Sequence, residues 1–118
     1  MAQVKKQLIS YDARLLDIPG QQNTSMRIEA KNYTMLRIQE IILHKQLTPT
    51  ITFADVFKKL RIENAHAEIK RRVREYMIAL FKHLKKESVL KSFEVVKHGN
   101  SFYGVKFPRQ KKILSITL

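Results

Sequence analysis

Ile69, Val73, Met77, Leu80 and Leu84 recur at steps of four, four, three and four residues. Only a helix of 3.6 residues per turn brings such a set onto one face. The spacing predicts a helix over about Ala65 to Glu87, with Tyr76 and Phe81 flanking the stripe. Asn64 stands where a side-chain oxygen can cap the free amides of the first turn. A stripe this long has to be covered, so the rest of the chain must supply the opposing apolar surface.

The segments before it are shorter. Ser25 to about His44 reads as a helix, capped by Thr24 or Ser25, with Ile28, Met35, Ile38 and Ile42 on one face and Ile41 widening it. Arg27, Lys31, Arg37 and Lys45 are expected to face elsewhere. After Pro49, Thr50-Ile51-Thr52 is a short β-prone bridge. Thr52-Phe53-Ala54-Asp55 then has the form of a capping box with Asp in the acidic position. It opens a short helix, about Phe53 to Leu60, with Val56, Phe57 and Leu60 as its stripe. Before all of these, Val4 to Ile18 is either a strand or an arm, ending at the Pro19-Gly20 turn signal.

Downstream of the long helix, Leu90 to Val96 and Phe102 to Phe107 are rich in Phe, Val and Tyr. They flank Lys97-His98-Gly99-Asn100-Ser101, the pattern of a β-hairpin. Tyr103, Val105 and Phe107 share one face by alternation, so Tyr103, like Tyr76, is expected in the core. Pro108 stops the strand. A basic tail, Arg109-Gln110-Lys111-Lys112, leads to an alternating Ile113-to-Leu118 segment that reads as a further strand.

Charge narrows the function. Lys and Arg number 23 against 10 Asp and Glu, a formal net charge of +13. With 44% hydrophobic residues the chain has the material for a core, so it is not a disordered basic tail. Self-repulsion at this charge points to an anionic partner: nucleic acid, a membrane surface or an acidic protein. No apolar run approaches the roughly 20 residues of a membrane span, and no secretory h-region follows Met1 to Gln7, so no membrane partner is expected. The absence of cysteine excludes a disulfide scaffold and a thiol nucleophile, and fits a reducing, cytoplasmic setting.

The order helix, short strand, helix, helix, strand, turn, strand predicts an α+β winged helix, a helix-turn-helix with a β-hairpin wing, in a single domain. The divisions are residues 1–23 as an N-terminal arm or strand, 24–108 as the winged-helix domain and 109–118 as the basic tail with its terminal strand. Ile51 to Leu60, Ala67 to Glu75 and the hairpin from Lys91 to Val105 resemble the winged-helix domains of bacterial plasmid replication initiators. The resemblance implies sequence-specific binding of double-stranded DNA at repeated origin sites, bending or opening of that DNA, and contact with host replication proteins. Those initiators carry two such domains or further segments. This chain has room for one, so it is either a domain of a longer protein or another use of the same fold.

Within that frame the long helix is the recognition helix. Lys70, Arg71, Arg72 and Arg74 cluster in its first turns, where such a helix meets base edges, and Glu68 and Glu75 are too few to neutralise them. A charge run is most often a solvated face. The clustering and the affinity of a helix N-terminus for phosphate favour DNA here. Asn64, as cap, and His66 stand at the start of that helix and are candidate DNA contacts with Lys70, Arg71 and Arg74. At the wing, Gly99 and Asn100 tolerate a turn, and Lys97 and His98 are placed to reach phosphate oxygens.

No cofactor is implied. His44, His66, His83 and His98 lack metal-ligand spacing, and no nucleophile elbow, Ser-His-Asp set or phosphate loop is present, so the chain is read as a non-enzyme. Two other functions share the pattern. One is a small transcription regulator, with Val4 to Ile18 and Ile113 to Leu118 as the natural elements of a homodimer. The other is an interaction module for an acidic protein, which any polyanion would displace.

Overall fold

The computed structural model describes residues 13–22, 24–43 and 49–107. The terminal strand, the basic tail and most of the N-terminal arm lie outside the described residues. The described part of the arm, Ala13–Leu16, is a 3₁₀ turn rather than a strand.

Helix α1 spans Ser25–Leu43, and Thr24 is its cap: the Arg27 amide donates to Thr24 Oγ1 at 3.2 Å. Met35, Ile38 and Ile41 are buried as expected. Two expectations fail. Ile28 is 40% exposed, while Met26 of the same first turn packs against the core in its place. Lys31, expected on the outer face, is wholly buried one turn further on. Its Nζ donates to the Leu16 carbonyl at 2.5 Å and so fastens the 3₁₀ turn onto α1. Burial lowers its pKa, and the charge of Arg27 lowers it further.

Strand β1, Thr50–Thr52, runs straight into α2, Phe53–Lys59. Thr52 Oγ1 accepts from the Asp55 amide at 3.2 Å, as the capping pattern requires. The α2 C-terminus closes with the Ile62 amide donating to Phe57 O and the Arg61 amide to Lys58 O, with Arg61 at φ 60°. This left-handed closure carries the chain on through Glu63, Asn64 and Ala65 before the next helix begins. Helix α3, Ala67–Lys86, therefore starts two residues later than its stripe suggested. Its N-cap is His66, whose side chain makes no capping bond, and Asn64 lies exposed in the preceding turn. Val73, Met77, Leu80, Phe81 and Leu84 are buried; Ile69, one turn from the N-terminus, is half-buried.

The α3 C-terminus closes like that of α2, with Ser88 at φ 63° and the buried Val89 following it. Strands β2, Glu94–His98, and β3, Ser101–Lys106, form an antiparallel hairpin about Gly99-Asn100, tighter than the five-residue connection anticipated. Gly99 sits at φ 64°, the positive angle that two-residue hairpins favour. Strand β1 adds on the other side, so the sheet order is β1-β3-β2, all antiparallel. Gly104 is buried where β1 and β3 approach: a Cβ there would lie 2.5 Å from Ile51 O and 2.9 Å from Thr52 Cα.

The hairpin ladder has one irregularity. Val96 pairs with Gly104, but Lys97 pairs with Phe102, so Tyr103 is an extra residue without a partner across the ladder. Strict alternation from the buried Val105 would carry Tyr103 toward the helices. The bulge exchanges the two neighbours. Phe102 turns its ring edge-on to core residue Phe53, with centroids 6.3 Å apart, and Tyr103, expected in the core, is 41% exposed. Three helices thus pack on one three-stranded antiparallel sheet in a small α+β fold, and Phe81 joins the layers through Phe93 and Phe107 at 5.7 and 6.0 Å.

Candidate nucleic-acid interface

The first half of α3 presents Lys70, Arg71, Arg72 and Arg74 with Glu68 and Glu75. Helical spacing divides them. Arg71 has Glu68 three residues before it and Glu75 four after, and it bonds both. Its Nε donates to Glu68 Oε1 at 3.1 Å, its Nη2 to Glu68 Oε2 at 2.5 Å, and its Nη1 to Glu75 Oε2. Arg72 Nε lies 3.4 Å from Glu68 Oε2. The bond from Arg71 holds the Glu68 carboxyl below the usual carboxylate range, and Glu68 in turn raises the Arg71 guanidinium above its ordinary value. Arg71 is exposed, and carboxylates engage three of its N–H donors.

Lys70 and Arg74 are also four residues apart and lie on a neighbouring face. Both are half-buried against aromatic rings. Lys70 Nζ is 5.8 Å from the Phe57 centroid, and Arg74 Cζ is 4.9 Å from that of Phe102. The hairpin reaches the same ring: Lys97, opposite Phe102 across the ladder, holds its Nζ 4.7 Å from the centroid. Cation–π attraction of this kind contributes about 0.5–1 kcal/mol at exposed sites. It fixes where the two cations stand more than it stabilises the fold. Phe102 is 45% exposed. Arg74 of α3 and Lys97 of the hairpin therefore converge on one aromatic ring.

His98 does not join that group. Its imidazole stacks on the Tyr103 ring, with centroids 4.1 Å apart and planes 21° from parallel. Asn64 and His66 are exposed at the start of α3, where the His66 carbonyl accepts from the Ile69 and Lys70 amides. The sequence reading missed Phe102 and Tyr103 as surface residues. One signal was available: adjacent aromatic residues on a strand cannot both face the core.

A separate cleft of about 350 Å³ between α1 and the end of α2 is lined by Glu29, Asn32, Tyr33, Lys59 and Arg61 among others. It mixes both signs of charge. Lys59 Nζ lies 5.9 Å from the Tyr33 ring, and burial raises the Tyr33 pKa. Among the described residues no group of three His, Cys, Asp or Glu side chains could hold a metal ion, and no helix is long and apolar enough to cross a membrane. Neither a family model, a curated protein nor a solved structure matches the chain.

Proposed function

We propose that the chain is a winged-helix domain that binds double-stranded DNA sequence-specifically, in the role of a plasmid replication initiator acting on origin repeats. The convergence of Arg74 and Lys97 on the Phe102 ring carries this reading. It makes one cationic surface out of a helix and a hairpin that are distant in sequence, as a reader that sets a helix in the major groove and a wing on the adjacent backbone needs. The element order, the β1-β3-β2 sheet and the net charge of +13 support it. Arg74 is the base-reading candidate, with Lys70 beside it. Lys97 and His98 contact phosphate. Arg71 ranks below Arg74, since Glu68 and Glu75 compete with DNA for its guanidinium. No catalytic step is part of the proposal.

Selection of bound duplexes from a random pool, followed by titration of the selected and a scrambled duplex over a salt series, tests it. Arg74→Ala weakens the selected duplex by about 1–3 kcal/mol more than the scrambled one, if it reads a base bidentately. Lys97→Ala weakens both alike and lowers the salt slope by about one. A pool that yields no enriched sequence, with binding that any polyanion displaces, refutes the reading. Permanganate reactivity of thymines at the selected site separates an initiator, which opens DNA, from a regulator, which leaves it paired.

A further inference from the structure

Three large apolar side chains stand out as exposed among the described residues, and two of them are the neighbours Phe102 and Tyr103. The duplex-binding reading uses the cations around Phe102 and leaves Tyr103 without a task. The bulge supplies this residue: Tyr103 is the extra position of β3, pushed out of the ladder and stacked on His98 at 4.1 Å. Burying Tyr103 in the core would hide an aromatic ring from water. Instead the ring is held in a fixed orientation at the surface, one face covered by an imidazole.

We infer that the His98–Tyr103 stack is a platform for an unpaired DNA base. A planar two-ring stack is extended by a third planar ring, and every nucleobase has a π-face to offer. In a duplex those faces are hidden by neighbouring base pairs, so the site selects bases that have left the stack. The charge fits a polyanion: the chain carries a formal net charge of +13, and the exposed Lys97 directly precedes His98. The inference rests on the DNA-binding proposal above and deepens it. A protein that opens DNA at its site creates unpaired bases beside its own hairpin, and a stacking platform there holds the opened strand and opposes its return.

The chain contains no tryptophan, so Tyr103→Trp places a single indole at the platform. Affinity and indole fluorescence are measured on a blunt duplex and on the same duplex carrying an unpaired thymine arm. Wild type prefers the armed duplex, by roughly 5- to 150-fold for each base that stacks. Tyr103→Trp keeps the preference, and its fluorescence is quenched by the armed duplex and not by the blunt one. Tyr103→Leu loses the preference and binds the blunt duplex as wild type does. Equal affinity of wild type for the two duplexes, or equal quenching by them, overturns the platform while leaving duplex recognition standing. Failure to bind either duplex overturns the proposed function and the platform together. If Tyr103→Leu does not fold, the quenching comparison still decides.

Discussion

Gly104→Ala tests the contact on which the sheet, and the placement of Phe102, depends. The new Cβ would lie 2.5 Å from Ile51 O, 2.9 Å from Thr52 Cα and 3.1 Å from Ile51 C, all backbone atoms of β1. Ordinary contact begins at about 3.5 Å, so β1 and β3 must part by about 1 Å. A ladder hydrogen bond of about 2.9 Å stretched by that much is no longer a bond. Overpacking of this kind costs about 1–3 kcal/mol, and each ladder bond lost adds about 1 kcal/mol. The reduced entropy of the unfolded alanine chain offsets about 0.4–1 kcal/mol. The net expectation is a loss of about 2–3 kcal/mol. Gly99→Ala is the control, since nothing lies within 4 Å of its added Cβ. Only its φ of 64° opposes the substitution, at about 1–2 kcal/mol. Urea unfolding followed by far-ultraviolet circular dichroism compares them. With a slope of about 1–3 kcal/mol per molar, the Gly104→Ala midpoint falls by about 1 M. A Gly104 variant within about 0.5 kcal/mol of wild type refutes the close approach of β1 and β3.

Other perturbations probe the remaining links. Thr52→Ala removes the acceptor of the Asp55 amide and lowers stability by about 1 kcal/mol, which Thr52→Ser restores in the same urea titration. Glu68→Gln takes away the carboxylate that engages Arg71 and Arg72, so duplex affinity rises and the salt slope steepens by up to about one; an unchanged slope means that this face of α3 does not meet DNA. Lys31 has a lowered pKa in the fold, so below the ordinary lysine value of 10.5 the unfolded chain binds more protons. Stability from this group rises as pH climbs through the window between the folded value and 10.5. The stability of wild type relative to Lys31→Met shifts in favour of wild type across that window, and the comparison cancels the opposing titration of Tyr33. A constant difference refutes the burial of Lys31.

Helical periodicity carried most of the fold. The stripe on α3 and the cap at Thr52 are local, and local physics decided both. Lys31 shows where residue chemistry misled. It lies three after Ile28 and four before Met35, so spacing alone placed it on the inner stripe, and only its charge argued for the surface. The Leu16 carbonyl overrode that argument by giving the ammonium a buried acceptor from a segment fifteen residues away. Asn64 is the opposite case. Its capping chemistry is sound, but the left-handed closure at Arg61 occupies the residues that an earlier helix start would need.

The candidate interface was legible as composition and not as geometry. The cations of α3 could be counted, and the spacing of Glu68, Arg71 and Glu75 already marks an intrahelical ion-pair set. That set diverts Arg71 and leaves Arg74 the better placed of the two. What places Arg74 is Phe102, and Phe102 faces the helix only because one extra residue in β3 reverses the alternation. A bulge depends on how two strands pair, and nothing in the hairpin's own residues fixes where pairing slips. The same slip exposes Tyr103. A hairpin with regular alternation would set Tyr103, not Phe102, opposite Lys97. Both proposed activities of this surface, duplex reading by Arg74 with Lys97 and base stacking on Tyr103, therefore follow from a single register shift between Val96 and Lys97.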